Sequence, residues 1–402
     1  MVENTKGKSP FYPGQPVPVE LFVGRREQID RIMTRGVGQV VAGKPIAVFV
    51  QGEYGIGKSS VAAFVQRVAE EDKNLHAIYV SLAGCKHLAD LAAAVLEGTI
   101  RSGAFAPSRS EKIRNWLAKY IGTQQLFGFT LNLDALKQDA PNFITPLGML
   151  GFLQEMQQRL ADTGVRGVFL VLDEINGMTS DPQFATLVKG MVDSNAISKE
   201  PLPLLLMLCG VEDRRREMIA NHPPIDRIFD VVEIGVMTEP EMHEFFSRAF
   251  QSVQMAVDDD AMQVLTYHSA GFPKIMHLIG DAAFWIDRDE RIDRDDAIGA
   301  VLTAAEDVGK KYVDAQVYKA LRSSDYRSIL AKIAKTGLGM TFHKSEIAKG
   351  LTEAERKKLN NFLQKMKRLN VIRSGDVQGE YVFNVRMVRV YIWLDSHRKV
   401  PR

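Results

Sequence analysis

Eight residues, Gly52-Glu53-Tyr54-Gly55-Ile56-Gly57-Lys58-Ser59, fit the pattern G-x-x-x-x-G-K-[ST], and their flanks give that pattern physical meaning. Upstream, Ile46-Ala47-Val48-Phe49-Val50 is a short apolar run of buried-strand type. Downstream, Ser59 to Ala69 reads as a helix with Val61, Phe64, Val65 and Val68 on one side. Strand, glycine loop and helix in that order form a phosphate-binding turn. A glycine-rich turn with an exposed lysine could match the letters, but not the flanking elements.

The residue types follow from the chemistry. Glycines let the backbone turn tightly so that its N–H groups converge on phosphate, and the helix N-terminus adds partial positive charge. Gly52, Tyr54, Gly55, Ile56, Gly57, Lys58, Ser59 and Ser60 are therefore the expected nucleotide contacts. Lys58 would reach the β- and γ-phosphates of ATP, and the Ser59 hydroxyl would ligate Mg²⁺.

Gly167-Val168-Phe169-Leu170-Val171-Leu172-Asp173-Glu174 is a second buried-strand run, and it ends in adjacent acids. Asp173 is suited to hold the Mg²⁺ shell, and Glu174 to orient or deprotonate an attacking water. After a phosphate loop, such a pair marks a hydrolysis site rather than a solvated loop start.

With 402 residues, 46% hydrophobic and 25% charged, the chain has ordinary globular composition and room for two or three domains. No run approaches the ~18 apolar residues of a membrane span, and the polar start MVENTKGKS does not read as a signal peptide. A cytoplasmic location with no membrane partner is expected. Two cysteines, Cys85 and Cys209, are too few for a disulfide scaffold and are expected to be buried small hydrophobes.

The net charge of +2 hides a division. From Arg322 to Arg402 there are 18 Lys/Arg against 7 Asp/Glu, a surplus of 11, which leaves 2 − 11 = −9 on residues 1–321. A basic tail on an acidic body is where a polyanion would bind.

Four prolines in KSPFYPGQPVPVE give an N-terminal arm over 1–21 that favours extended backbone. A helix is expected from Phe22-Val23-Gly24-Arg25 through about Met33. Further strands read at Ala77–Leu82, Leu204–Cys209 and Val231–Ile234. They alternate with helices around Leu88–Ile100, Leu150–Ala161 and Phe184–Val192. Such alternation gives an α/β core over 22–237, a parallel sheet sandwiched by helices, with ligands beyond the strands' carboxyl ends.

Within the core, about 102–145 looks like an insertion. Its Phe127, Phe129, Leu131 and Leu133 alternate with polar positions in a half-buried hairpin pattern. Residues 238–321 turn helical, and a connecting helix is expected from Val308 to Arg322.

Residues 322–402 read as three helices followed by a strand, a turn and a strand, the order of a winged helix-turn-helix. In the third helix, Leu359, Phe362 or Leu363, Met366 and Leu369 make a core stripe. Lys357, Lys358, Asn361 and Lys365 are left as the expected contacts to double-stranded DNA. The alternative is a winged-helix module that binds protein through a solvated lysine face.

Taken in order, these motifs resemble the AAA+ family of P-loop ATPases, nearest to its initiator-like and STAND-like members and to bacterial ATPases that help transposition. The resemblance runs from about Phe22 to Val385. It implies that Phe22-Val23-Gly24-Arg25 lies against adenine, which makes Val23 and Gly24 nucleotide contacts. Asp213 falls near the sensor-1 position, although Gly210-Val211-Glu212-Asp213 lacks the usual Asn, Ser or Thr.

Pro224-Ile225-Asp226-Arg227-Ile228-Phe229 resembles the arginine-finger segment, with Arg227 reaching a neighbouring subunit's γ-phosphate; Arg214, Arg215 and Arg216 are rivals for that role. Gly271-Phe272-Pro273-Lys274 resembles the sensor-2 start with Lys in place of Arg. The implied activity is hydrolysis of ATP to ADP and phosphate, slow without a partner, in a self-assembling ring or filament. Two outputs remain open: a switch acting on DNA, or a signalling scaffold whose ATP state gates a protein effector.

Overall fold

A computed structural model describes residues 6–14, 22–103, 106–121 and 145–398. The hairpin expected at Phe127–Leu133 lies outside the described residues. These residues fall into two compact units, one within Pro16–Gly235 and the other combining the arm up to Gln15 with everything from Val236 on.

The first unit is built on five parallel strands: β1 (Ile46–Gly52), β2 (Leu75–Ser81), β3 (Gly167–Asp173), β4 (Leu204–Gly210) and β5 (Phe229–Ile234). Their order across the sheet is β2-β3-β4-β1-β5. All seven residues of β3 and of β4 are buried, as expected for strands covered on both faces. Ala47, Phe49, Ile78, Leu170 and Leu206 share one cluster with the helices Leu88–Arg101, Pro107–Ile121, Pro146–Arg159 and Pro182–Ala196. The opposite face, with Phe169, Val171, Leu205 and Met207 buried, meets the Lys58–Lys73 helix and the first helical segment. Each such side chain, fully buried, contributes about 1.5–3 kcal/mol.

That first helical segment is longer than its sequence pattern indicates. It begins at Arg26–Arg31, widens into a π-helix over Ile32–Val37 and returns to α over Gly38–Val41. Ile32, Gly36, Val37 and Val40 are buried. Packing on the sheet carries the helix past Met33. Cys209 is buried as expected, whereas Cys85 is only half-buried.

In the second unit, the helices Glu239–Gln251, Asp259–Ser269, Pro273–Ile286 and Arg294–Val308 follow one another, with the parallel two-residue strands β6 (Ala256–Val257) and β7 (Arg291–Ile292) between them. The connecting segment Gly309–Tyr318 is π-helical. The arm docks here. Phe11 is buried with its ring 4.9 Å from Phe250, the Tyr12 amide donates to His277 Nδ1 at 3.1 Å, and Lys6 pairs with Asp287 at 2.7 Å.

The last segment contains the helices Ser324–Lys335, Lys344–Lys349 and Glu353–Arg368 and three short strands, β8 (Thr341–His343), β9 (Ile372–Ser374) and β10 (Glu380–Phe383). The strands form an antiparallel sheet in the order β8-β10-β9. Thr352 and Glu355 make a reciprocal capping box at the start of the third helix. Lys332 Nζ donates to Glu355 Oε2 at 2.6 Å and holds that carboxyl down at about 2.

A further helix, Arg386–Arg398, has no counterpart in the sequence reading. It packs on the 294–308, 309–318 and 324–335 segments. Arg389, almost wholly buried, donates to the carbonyls of Ile333 and Gly339 and so closes the 324–335 helix. The basic segment is thus joined to the helices before it.

Candidate nucleotide site

The phosphate loop spans the step from β1 to the Lys58–Lys73 helix, as its sequence requires. Gly55 and Gly57 adopt φ of 76° and 100°, a region that side chains other than glycine enter at a cost. Gly52 is required for a different reason: a Cβ there would lie 2.5 Å from the Ile234 carbonyl oxygen of β5. Gly57 caps the helix, so the first amides of Lys58, Ser59 and Ser60 open toward the concavity of the loop. Ile56 is buried and anchors the loop, while Tyr54 stands 63% exposed at its tip.

Lys58 Nζ donates to the carbonyls of Gly52 and Glu53, both at 2.9 Å. The ammonium is held inside the loop by weak neutral acceptors that phosphate oxygens would replace with charged ones. Burial lowers its pKa, while Asp173, Glu53 and Glu174 pull the other way. An anion in the loop therefore answers an electrostatic need of the lysine.

Asp173 closes β3 and is 4% exposed. Its Oδ1 accepts the Glu174 amide at 2.8 Å and its Oδ2 accepts the Tyr79 hydroxyl at 2.5 Å. Glu174 is exposed with φ 56° and ψ 45°, a left-handed conformation that costs a non-glycine residue on the order of 1 kcal/mol or more. Only β4 separates β3 from the loop strand β1, so loop and acids emerge at the same sheet end.

The glycine cradle, the lysine and the helix N-terminus fit a nucleotide's phosphates. Ser59 and Asp173 are the residues that would hold Mg²⁺. Among the described residues no cluster of three or more His, Cys, Asp or Glu could hold a metal alone. A cation here would complete its shell with phosphate oxygens and water, as Mg²⁺ usually does.

Three residues join this site beyond the expected nucleotide and metal contacts. Tyr79, from β2, reaches Asp173 because strand register places it there. Arg25, buried with φ 62°, donates to the Ile56 carbonyl at 3.3 Å, tying the Phe22–Arg25 segment to the loop. In that segment Val23 is buried and Gly24 has φ 77°. Gln51 accepts from Arg215 Nε at 3.1 Å. Only the arginine in the Phe22–Arg25 motif carried a signal in the sequence; the other two contacts depend on strand pairing.

The four arginines considered for a finger differ in their surroundings. Arg214 pairs with Glu217 at 2.9 Å; Arg215 pairs with Asp226; Arg216 pairs with Glu212 at 2.7 Å. Arg227 is exposed and has no ion-pair or hydrogen-bond partner among the described residues. Glu217 also accepts from Thr179 at 2.6 Å, which links the 212–221 helix to the chain after β3. Asp213 lies exposed in the first turn of that helix.

The remaining expected residues lie in the second unit. Lys274 is exposed at the second position of the 273–286 helix. Lys357 is exposed and pairs with Glu353 at 3.3 Å, and Asn361 is exposed. Lys358 pairs with Asp325 at 2.5 Å, and half-buried Lys365 donates to the Ala320 carbonyl at 2.6 Å. The exposed residues of the 353–368 helix are Glu353, Ala354, Arg356, Lys357, Lys358, Asn360, Asn361, Gln364 and Arg368.

Residues 21–208 match the family described as AAA ATPase domain. That segment carries the phosphate loop, the acid pair and four of the five parallel strands. Among solved structures, the chain is similar to a Walker-type ATPase of Pyrococcus abyssi, with a TM-score of 0.57 and 18% identity over 93% of this chain and 96% of that one. It is also similar to the ORC2 protein of Aeropyrum pernix, solved as ADPNP–ADP complexes, with a TM-score of 0.59 and 11% identity over 98% and 96% of the two chains. At these identities the likeness is one of fold. No curated protein matches the chain. No helix among the described residues is long and apolar enough to cross a membrane.

Proposed function

We propose that the chain is a cytoplasmic, ATP-binding and slowly ATP-hydrolysing switch whose nucleotide state governs self-assembly and binding to double-stranded DNA. The observation that carries this reading is the meeting of the phosphate cradle with Asp173 and Glu174 at one end of the sheet. Lys58 and the loop amides bind the phosphates. Ser59 and Asp173 would hold Mg²⁺, which would supply positive charge to the phosphates. Glu174 orients a water and takes its proton as it attacks the γ-phosphorus, and the bond to the β-bridging oxygen breaks to give ADP and phosphate. The AAA ATPase domain match supports this chemistry.

Arg227 is our choice for the group that completes a neighbour's site, because its three rivals are engaged within the chain. Val23 and Gly24 on the adenine side and Lys274 toward the γ-phosphate belong to the same reading. Arg227→Ala is expected to lower hydrolysis in the assembled state by about 10³-fold, the lower end of what such arginines supply. Mixing it with Lys58→Ala should recover part of the rate, since one variant supplies the arginine and the other the nucleotide. A mixture no faster than its components would remove the shared site.

For the output, the order of elements over 324–383, the antiparallel sheet β8-β10-β9 and the surplus of basic residues support a winged helix-turn-helix. The face of Lys357, Asn361, Gln364 and Arg368 offers two cations for phosphates and amides suited to adenine edges. Full-length protein with ATP and Mg²⁺ should bind a DNA duplex with affinity that falls steeply with salt. Reversing charge at Lys357 and at Arg368 should flatten the log–log salt slope by about 1 each. The internal pairing of Lys358 and Lys365 favours a second reading, a signalling scaffold in which this module contacts a protein effector. Absence of duplex binding at low salt would select it.

A further inference from the structure

Tyr79 belongs neither to the phosphate loop nor to the acid pair, yet its hydroxyl stands between them. It lies on β2 opposite Val171, two residues before the pairing of Ser81 with Asp173. Its O–H donates to Asp173 Oδ2 at 2.5 Å, and Ser59, the other residue that would hold the cation, lies beside the phenol. The Glu174 amide occupies Asp173 Oδ1 at 2.8 Å, so both carboxylate oxygens are held.

A phenol carries one proton. With that proton given to Asp173, the Tyr79 oxygen can only accept, so a Ser59 hydroxyl that meets it would donate and the order would run from Ser59 to Tyr79 to Asp173. Ser59 would then turn its proton away from the phosphates and leave its lone pairs for the cation.

We infer that Tyr79 is a positioning residue for the divalent cation, aligning Ser59 and Asp173 before nucleotide and metal arrive; this rests on the nucleotide-site reading above. Its role differs from packing. Phenylalanine would keep the ring and remove only the oxygen that sets the proton order. Partners of this kind, one bond behind a metal ligand, change metal affinity by about 10- to 100-fold when removed.

The test measures binding rather than turnover. Full-length wild type and Tyr79→Phe are titrated with a fluorescent ADP analogue, first in EDTA and then at rising Mg²⁺. For Tyr79→Phe the Mg²⁺ concentration at half-maximal enhancement should rise about 10- to 100-fold, with affinity in EDTA unchanged. Ser59→Ala provides a second route: adding Tyr79→Phe to it should cost less than Tyr79→Phe costs alone, because the chain of bonds is already cut. An unchanged Mg²⁺ requirement, or full additivity of the two substitutions, overturns the positioning role and leaves the nucleotide site standing. Failure of the wild type to bind the analogue with Mg²⁺ overturns both.

Discussion

Lys58→Ala is expected to remove tight ATP binding, lowering affinity roughly 10²- to 10³-fold, because truncating one member of a desolvated charge pair costs about 3–5 kcal/mol. Lys58 is the lysine of the loop, and in the structure its ammonium is already inside, bonded to Gly52 and Glu53 carbonyls. Alanine leaves those two carbonyls to water, since Glu53 is exposed and Gly52 half-buried. The fold should therefore survive, with a far-UV spectrum and unfolding midpoint close to wild type. Calorimetric titration with ATP and Mg²⁺ reads the affinity directly. An affinity within threefold of wild type would show that the phosphates bind elsewhere.

Glu174→Gln should do the reverse: ATP is bound but not consumed. The glutamate sits one residue past the buried Asp173, exposed and in a left-handed conformation that nothing in its own side chain explains. Backbone strain at such a point is the kind tolerated where a side chain must be aimed. Glutamine keeps the length and the backbone demand, and removes only the ability to take a proton. A general base contributes about 10²- to 10⁴-fold, so turnover should fall by that factor while affinity for ATP changes little. The ATP-bound form should accumulate, and light scattering should report whether it assembles. Normal turnover in Glu174→Gln would assign the base to another group.

How much of this was legible in the sequence depended on whether a feature is local. β1, the loop and the helix after it are contiguous, and each declares itself through apolar runs and glycines; β3 with Asp173 and Glu174 is equally self-contained. Tyr79 is different. It reaches Asp173 only because β2 pairs with β3 in one register, and no pattern within Leu75–Ser81 states that register. The same holds for Arg215 meeting Gln51 and for Lys365 turning to the Ala320 carbonyl.

The helix Arg386–Arg398 escaped for another reason. Its Val388, Val390, Tyr391, Ile392 and Trp393 are residues of strand preference, and burial of Met387, Val388, Val390, Tyr391 and Ile392 against neighbouring helices overrides it. Gly309 records the fit, since a Cβ there would lie 2.1 Å from the Tyr391 ring.

Gly52 carries a consequence for how this chain can change over generations. Every other amino acid would bring a Cβ to 2.5 Å from the Ile234 oxygen, which is main chain and cannot rotate aside as a side chain would. No codon change at position 52 is therefore silent in its effect on structure unless it still encodes glycine. Gly52 itself places no demand on the Ile234 side chain, which its own burial keeps apolar. Drift can reach exposed Glu233 beside it, while the first residue of the loop stays closed.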